Sequence, residues 1–306
     1  VVYRPITRDR DQVFSIMGDG SIGWFLTRFV PAVRKMEGFT PEIRNVRTFN
    51  TNGFTLDRAL LSQATLEDWT DQAAFIQGRV TPGLIDRAFD SFPPEVRDHT
   101  PEQIKEILLQ RLKQLQTYAQ SYFEVLQEQV IVQGTDKDDW FEIGAAGEKG
   151  ISVSGYRIID GEKEKLFYQK TFDPKLTREI WLYGLDDSDR FQIDLPKNNR
   201  IVVRIVGGHG KDRYEVASGK KVRLYDYKSK TSVIKGPGRA HTLLTDDYEI
   251  NTYMPLKPGD ETRQVFPVAG YNPDDGIKLG LGYTLTRYGF LRNPFSRKHA
   301  MRAAYY

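Results

Sequence analysis

The chain has no cysteine among its 306 residues. That absence excludes disulfide frameworks, thiolate zinc sites and cysteine nucleophiles, and it is compatible with an oxidising or a reducing compartment. Histidine is scarce: His99, His209, His241 and His299 stand at no metal-ligand spacing, so an imidazole zinc site has no support. No Gly-x-Ser-x-Gly elbow and no Walker loop occurs, which leaves hydrolase triads and P-loop chemistry without a basis. No apolar run approaches the roughly 18 residues of a membrane-spanning helix. An excess of one charge is missing too. The 44 Lys and Arg stand against 41 Asp and Glu, and a dispersed net charge of +3 argues against nucleic acid as a partner.

What is present is an ordinary globular composition, 39% hydrophobic and 28% charged, in a chain long enough for about two domains. The start, Val1-Val2-Tyr3-Arg4-Pro5, is neither an initiator Met nor a signal peptide. The far end, Ala300 to Tyr306, has strand character without a closing turn. Both ends are expected to lie inside structural elements.

Residues 1–127 read as mainly helical after an extended start. Thr100-Pro101-Glu102-Gln103 predicts an N-cap, a first-position proline and a capping box. A single apolar stripe follows from Ile104 through Leu112 and Tyr118 to Leu126. Thr65-Leu66-Glu67-Asp68 and Thr81-Pro82 give similar start signals, and Phe92-Pro93-Pro94 a break. The aromatics of these helices are expected in the core.

From about residue 128 to 245, β-branched and aromatic runs punctuated by Gly, Asp and Lys predict an all-β region, a sandwich or a solenoid. Three segments within it align without gaps: Gly134, Asp139, Phe141, Ile143; Gly184, Asp189, Phe191, Ile193; and Gly207, Asp212, Tyr214, Val216. Each follows a strand-like run, so the unit is strand, tight acidic turn, strand. The third copy, Gly207-Gly208-His209-Gly210-Lys211-Asp212, resembles the turn of RTX-type calcium β-rolls. That resemblance makes Asp139, Asp189 and Asp212 candidate calcium ligands, with the glycines permitting left-handed backbone. The competing reading is purely structural, because the copies are unevenly spaced, by 50 and then 23 residues, and Gly and Asp shape turns between stacked strands without a metal.

Residues 246–275 carry Pro255, Pro258, Pro267 and Pro273 and read as a connector. In 276–306 the pattern changes. Ile277, Leu279, Leu281, Tyr283 and Leu285 alternate with Lys278, Gly280, Gly282, Thr284 and Thr286, which predicts the first of two strands of a membrane β-barrel with the former set facing lipid. Tyr288, Phe290 and Phe295 would form a girdle at the membrane edge, ahead of a loop from Arg292 to Lys298. Two strands cannot close a barrel, so further strands are expected beyond Tyr306. A soluble half-buried hairpin is the alternative.

Arg8-Asp9-Arg10-Asp11-Gln12 is the one compact charged constellation near a strand. Asp9 and Asp11 could hold Mg²⁺ or Mn²⁺, or simply form ion pairs with the arginines. The basic run from Lys220 and Lys221 through Arg223 to Lys228 and Lys230 reads either as a solvated strand face or as a surface for a phosphorylated glycan or lipid head group.

A broader resemblance rests on Tyr3 to Gln12, on Phe54-Thr55-Leu56-Asp57-Arg58 with Leu61, and on Gly134-Thr135-Asp136-Lys137-Asp138. It continues in Thr171 to Lys175, Tyr183-Gly184-Leu185 and Tyr271 to Gly276. On these residues the chain resembles the middle region of Bacteroidota-type outer-membrane proteins with an N-terminal metallophosphoesterase domain and a C-terminal BamA/TamA-like barrel. The resemblance implies a CotH- or HipA-like kinase C-lobe remnant over 1–127, with Asp9 and Asp11 as counterparts of the kinase metal-binding Asp. Thr7 stands where that family has Pro, and the kinase catalytic loop is absent from the sequence.

The reading is therefore an α+β chain: a helical domain, an all-β periplasmic domain, a connector and the first barrel strands. Its expected role is that of a scaffold beside an outer-membrane barrel in envelope biogenesis, with outer-membrane lipid and other envelope proteins as partners. The alternative is part of a metal- and ATP-dependent kinase-like or metallophosphoesterase enzyme. Mg or Ca is the candidate cofactor.

Overall fold

The computed structural model describes residues 14, 20–29, 38–93, 95, 99–147, 149–236, 238–255, 261–288, 290–292 and 294–305. Helices occupy its first part: α1 (Gly20–Phe29), α2 (Val46–Phe49), α3 (Phe54–Leu60), α4 (Leu66–Arg79), α5 (Pro82–Asp90), α6 (Thr100–Lys113) and α7 (Leu115–Gln127). The chain is of mixed α and β class. Thr65 caps α4 in a reciprocal capping box with Asp68, and Thr81 caps α5 ahead of Pro82, as the sequence predicts. The signal at Thr100 differs. Thr100 is the first helical residue of α6, His99 precedes it, and no side-chain cap bond forms. The long stripe is also broken at Gln114 into α6 and α7. Ile85, Phe89, Tyr122 and Phe123 are buried, whereas Phe75 of α4 is exposed, and Phe92, past the end of α5, is exposed while packing one side against Phe89.

Strands follow: β1 (Gln129–Gln133), β2 (Asp139–Ala146), β3 (Gly150–Ile159), β4 (Glu162–Phe172), β5 (Glu179–Leu185), β6 (Arg190–Asp194), β7 (Val202–Gly208), β8 (Arg213–Ser218), β9 (Val222–Asp226), β10 (Val233–Lys235) and β11 (His241–Leu244). One sheet has the order β1-β5-β7-β9-β11 and the other β10-β8-β6-β2-β3-β4. Every pairing in the first sheet is parallel, as are those of β10, β8, β6 and β2. The chain thus alternates between sheets, one strand in each per coil. Of the two β architectures the sequence left open this is the solenoid, because hairpin-built sandwiches are antiparallel. The 50-residue gap between the first two repeat copies is the β3–β4 hairpin, which extends the second sheet antiparallel from β2.

The core lies between the sheets: Val130, Val132, Ile180, Leu182, Val203, Ile205 and Leu224 from one side meet Phe141, Ile143, Phe191, Ile193, Tyr214 and Val216 from the other. The second sheet alternates buried and exposed residues. Strands β5 and β7 of the first sheet are buried on both faces, which is why they read as continuous apolar runs. Their outer face packs Ile131, Trp181, Tyr183, Val206 and Tyr225 under Ile250 of α8 (Tyr248–Asn251) and under Phe290 and Leu291.

The helices cover the first coil, as a solenoid end requires. Arg58 bonds Gln129, Arg47 pairs with Glu128 at 2.6 Å, and Lys170 Nζ donates to the carbonyls of Ser62 and Ala64 at 2.9 and 3.4 Å. Burial pushes the Lys170 amine down to about 8.

A third sheet stands apart, antiparallel, in the order β12 (Glu261–Asn272), β13 (Gly276–Arg287), β14 (Arg297–Tyr305). Strand β12 falls inside the range expected as a connector, and it makes three strands where two are expected. Pro267 is tolerated there because β12 pairs on one side only among the described strands, and the alternation is hidden because Val265 and Ala269 lie on one face and Phe266 and Val268 on the other.

Candidate functional site

The repeat residues stack coil upon coil. Phe141 lies over Phe191 at 5.5 Å between centroids and Phe191 over Tyr214 at 4.9 Å, both pairs nearly parallel. Beside this column runs a ladder of carboxylates. The amide of Asp139 donates to Asp189 Oδ1 at 2.9 Å, that of Asp189 to Asp212 Oδ1 at 2.9 Å, and that of Asp212 to Ser232 Oγ at 3.1 Å. The register explains the final step, since Arg213 faces Val233 and Ser232 therefore falls opposite Asp212.

Asp226 is a member the sequence repeat did not reveal. Val206 faces Tyr225, so Asp226 stands at the Gly207 position of a fourth, degenerate copy. Its Oδ2 accepts from the Tyr214 hydroxyl at 2.9 Å. The signal that could have found it is the strand Val222–Asp226, followed by Ser232 and Ile234 at the acidic and aromatic positions.

The glycines are required for space. In the third copy Gly208 has a positive φ of 102°, as expected, whereas Gly207 and Gly210 are not among the positive-φ residues, which corrects the left-handed expectation for those two; nor are Gly134 and Gly184. A Cβ on Gly184 would collide with the Asp189 carboxylate and the Gly207 carbonyl, and one on Gly207 with Asp212 and the Tyr214 hydroxyl.

Asp139, Asp189, Asp212 and Asp226 are each at most 1% exposed. Among the described residues one cation serves them: Arg157 pairs with Asp139 at 2.6 Å. Oδ2 of Asp189 and of Asp212 finds no hydrogen-bond partner. Burial, reinforced by the Asp212 charge, pushes Asp189 up to about 10; burial, reinforced by Asp226, pushes Asp212 up to about 7. Asp139 and Asp226 are raised as well, chiefly by burial. Asp189 therefore keeps its proton at neutral pH and Asp212 titrates there. Among the described residues no group of three or more His, Asp or Glu is arranged to hold a metal ion. Asp9 and Asp11 lie outside the described residues.

The third sheet brings the other predicted set together. Ile277, Leu279, Leu281, Tyr283 and Leu285 alternate along β13 and so share one face. Opposite them stand Tyr271, Ala269, Pro267, Val265 and Arg263 of β12 and, from Leu279 on, Tyr305, Ala303, Met301 and His299 of β14. Ile277, Leu279 and Leu281 are 67%, 64% and 64% exposed, while Thr284 and Thr286 on the other face are 9% exposed. Along β13 the sheet is inside out, with the threonines sheltered and Ile277, Leu279 and Leu281 bare, while Tyr283 and Leu285 are half-buried; the sheltered face also holds Phe266 and Val268 of β12, and β14 is exposed throughout. Val265, Tyr271, Met301 and Tyr305 extend the apolar face and were missed in the sequence, because β12 and β14 alternate less regularly than β13.

Of the expected aromatic girdle, Phe290 is placed differently, while Phe295 is exposed and Tyr288 half-buried. Phe290 is buried on the solenoid, edge-on to Trp181 at 4.9 Å and 4.3 Å from Tyr225, with the Arg204 guanidinium 4.8 Å above its ring. Arg204 is itself held by Glu179 and by the Tyr225 hydroxyl. The apolar outer face of β5 and β9 offers Phe290 a better-packed site than an exposed edge would.

No family model matches this chain, and neither a curated protein nor a solved structure matches it.

Proposed function

We propose that this chain is the periplasmic solenoid and first membrane strands of an outer-membrane β-barrel protein, acting as a scaffold that holds envelope partners beside the barrel. The observation that carries the reading is the inverted third sheet. In water, exposing Ile277, Leu279 and Leu281 while sheltering threonines forfeits about 1.5–3 kcal/mol per side chain; against lipid the same arrangement is the stable one. Strands of 12, 12 and 9 residues are long enough to cross a bilayer when tilted.

Connectivity supports the same arrangement. The loop 288–296 between β13 and β14 touches the solenoid through Phe290, while the turn from Asn272 to Gly276 is tight. Short turns and a docked domain on opposite ends of the strands fit one soluble module on one side of a membrane. The sheet's two outer strands lack partners among the described residues, and in lipid such edges must be closed by further strands.

The test is a pair of substitutions. Leu279→Lys on the apolar face should cost about 2–4 kcal/mol of assembly into bilayers, whereas Gln264→Lys on the polar face should leave assembly intact, both read by heat-modifiable mobility after folding into lipid vesicles. Equal tolerance of both would remove the membrane reading.

A further inference from the structure

The solenoid has two edges, and one of them gathers cations at every crossing. Crossings from the first sheet to the second pass through Asp136 and Asp138, Asp186 and Asp187, the His209–Lys211 turn, or Lys228 and Lys230, so the edge beside the buried ladder is of mixed charge. Every return crossing passes through cations: Lys175 and Arg178 before β5, Lys197 and Arg200 before β7, Lys220 and Lys221 before β9, and Arg239 before β11. The coils are stacked in parallel about 4.8 Å apart, so each return crossing adds cations to the same edge at staggered positions: Glu179 faces Val202, which puts Arg178 one residue and Arg200 two residues before that pair. None of them has an ion-pair partner among the described residues.

At this basic edge lies a cleft of about 740 Å³ lined by Lys149, Thr171, Asp173, Lys175 and Arg200. Its loops are braced. Asn199, 2% exposed, clamps Ile201 through both backbone groups at 2.8 Å, and Lys221 Nζ donates to the Arg200 carbonyl at 2.7 Å. The one described carboxylate in the cleft, Asp173, accepts from the Lys175 amide at 2.8 Å, and the three cations remain in excess.

We propose that this cleft and the cation row beside it bind a phosphate-bearing ligand, an oligophosphate or a phosphorylated head group. Three cations and a hydroxyl on braced loops suit the charge and the several acceptor oxygens of a phosphoryl chain. The proposal goes beyond the membrane reading and stands without it.

The test uses the full chain in neutral detergent, titrated calorimetrically with inorganic tripolyphosphate. Saturable binding is expected, weakened about tenfold or more by Lys175→Glu with Arg200→Glu, since each removes charge-assisted bonds, and unchanged by Lys228→Glu with Lys230→Glu at the other edge. Nanodiscs of phosphatidylcholine with and without phosphatidic acid separate the sources. An affinity gain from phosphatidic acid that Arg200→Glu abolishes assigns a lipid head group; tripolyphosphate binding without that gain assigns a soluble ligand. No saturable binding in either arm, or equal losses at the two edges, overturns the proposal, and neither result bears on where the third sheet sits.

Discussion

The solenoid and the third sheet are built from the same alternation of apolar and polar side chains, and they use it in opposite senses. In the solenoid, Phe141, Phe191 and Tyr214 point inward and are at most 1% exposed. In the third sheet the aliphatic side chains of β13 point away from the protein. The comparison teaches that period-two patterning fixes which residues share a face, while the surrounding solvent decides which face is hidden.

The largest expected effect sharpens this contrast directly. Phe191→Ala should destabilise the solenoid by about 3–5 kcal/mol, because it opens a cavity in the middle of the aromatic column. Leu279→Ala should change stability in detergent by less than about 1 kcal/mol, since most of that side chain is exposed. Urea unfolding followed by circular dichroism reads both, and comparable losses would mean that the two sheets bury their apolar faces alike.

Next comes the pH dependence of the ladder. Asp189 and Asp212 have folded-state pKa values raised above the unfolded value near 3.8. Their stabilising contribution is therefore complete below about pH 4 and is lost as pH rises, through about 7 for Asp212 and toward 10 for Asp189. The expected slope is on the order of 1 kcal/mol per pH unit per carboxylate. Asp189→Asn, whose amide keeps the acceptor for the Asp139 amide, should flatten the alkaline part of the profile. The third sheet has no such buried ladder, so its melting should not follow this curve.

Phe290→Ala should weaken the contact between the two regions by about 2 kcal/mol. Limited proteolysis should then cut within 288–296 while the solenoid's circular dichroism is unchanged.

The smallest effect separates two similar sequence signals. Thr65→Ala should cost about 1 kcal/mol of helix stability, because its capping box is reciprocal, and Thr81→Ala less, because only its own side chain makes the cap bond.

These cases show what was legible. The helix starts at Thr65 and Thr81 could be read because capping is local: the residues that make the bond lie within three positions of each other. The three-copy repeat could be read because stacking places like on like, so Gly184, Asp189 and Phe191 repeat the chemistry of Gly134, Asp139 and Phe141. Asp226 could not. In the last coil the carboxylate moves from the acidic position to the glycine position, and only the strand register shows that it still faces Tyr214.

Strand β12 was hidden by its prolines, since the tolerance of Pro267 depends on pairing that a sequence does not display. The position of Phe290 was hidden for a related reason. An aromatic beside a membrane strand suits a lipid boundary or a docked domain equally well, and only the tertiary contact with Trp181, Tyr225 and Arg204 decides between them. The basic edge is a third instance: its cations are scattered over more than sixty residues of sequence, from Lys175 to Arg239, and align only once the coils are stacked.

The absence of cysteine allows a direct measurement on the inverted sheet. Leu279→Cys and Gln264→Cys introduce unique thiols, each of which can carry an environment-sensitive fluorophore in protein folded into lipid vesicles. A blue-shifted probe at 279, quenched by a nitroxide on the acyl chains, together with a probe at 264 quenched by aqueous iodide, is the predicted result. A probe at 279 that iodide reaches and the acyl-chain nitroxide does not would contradict the account.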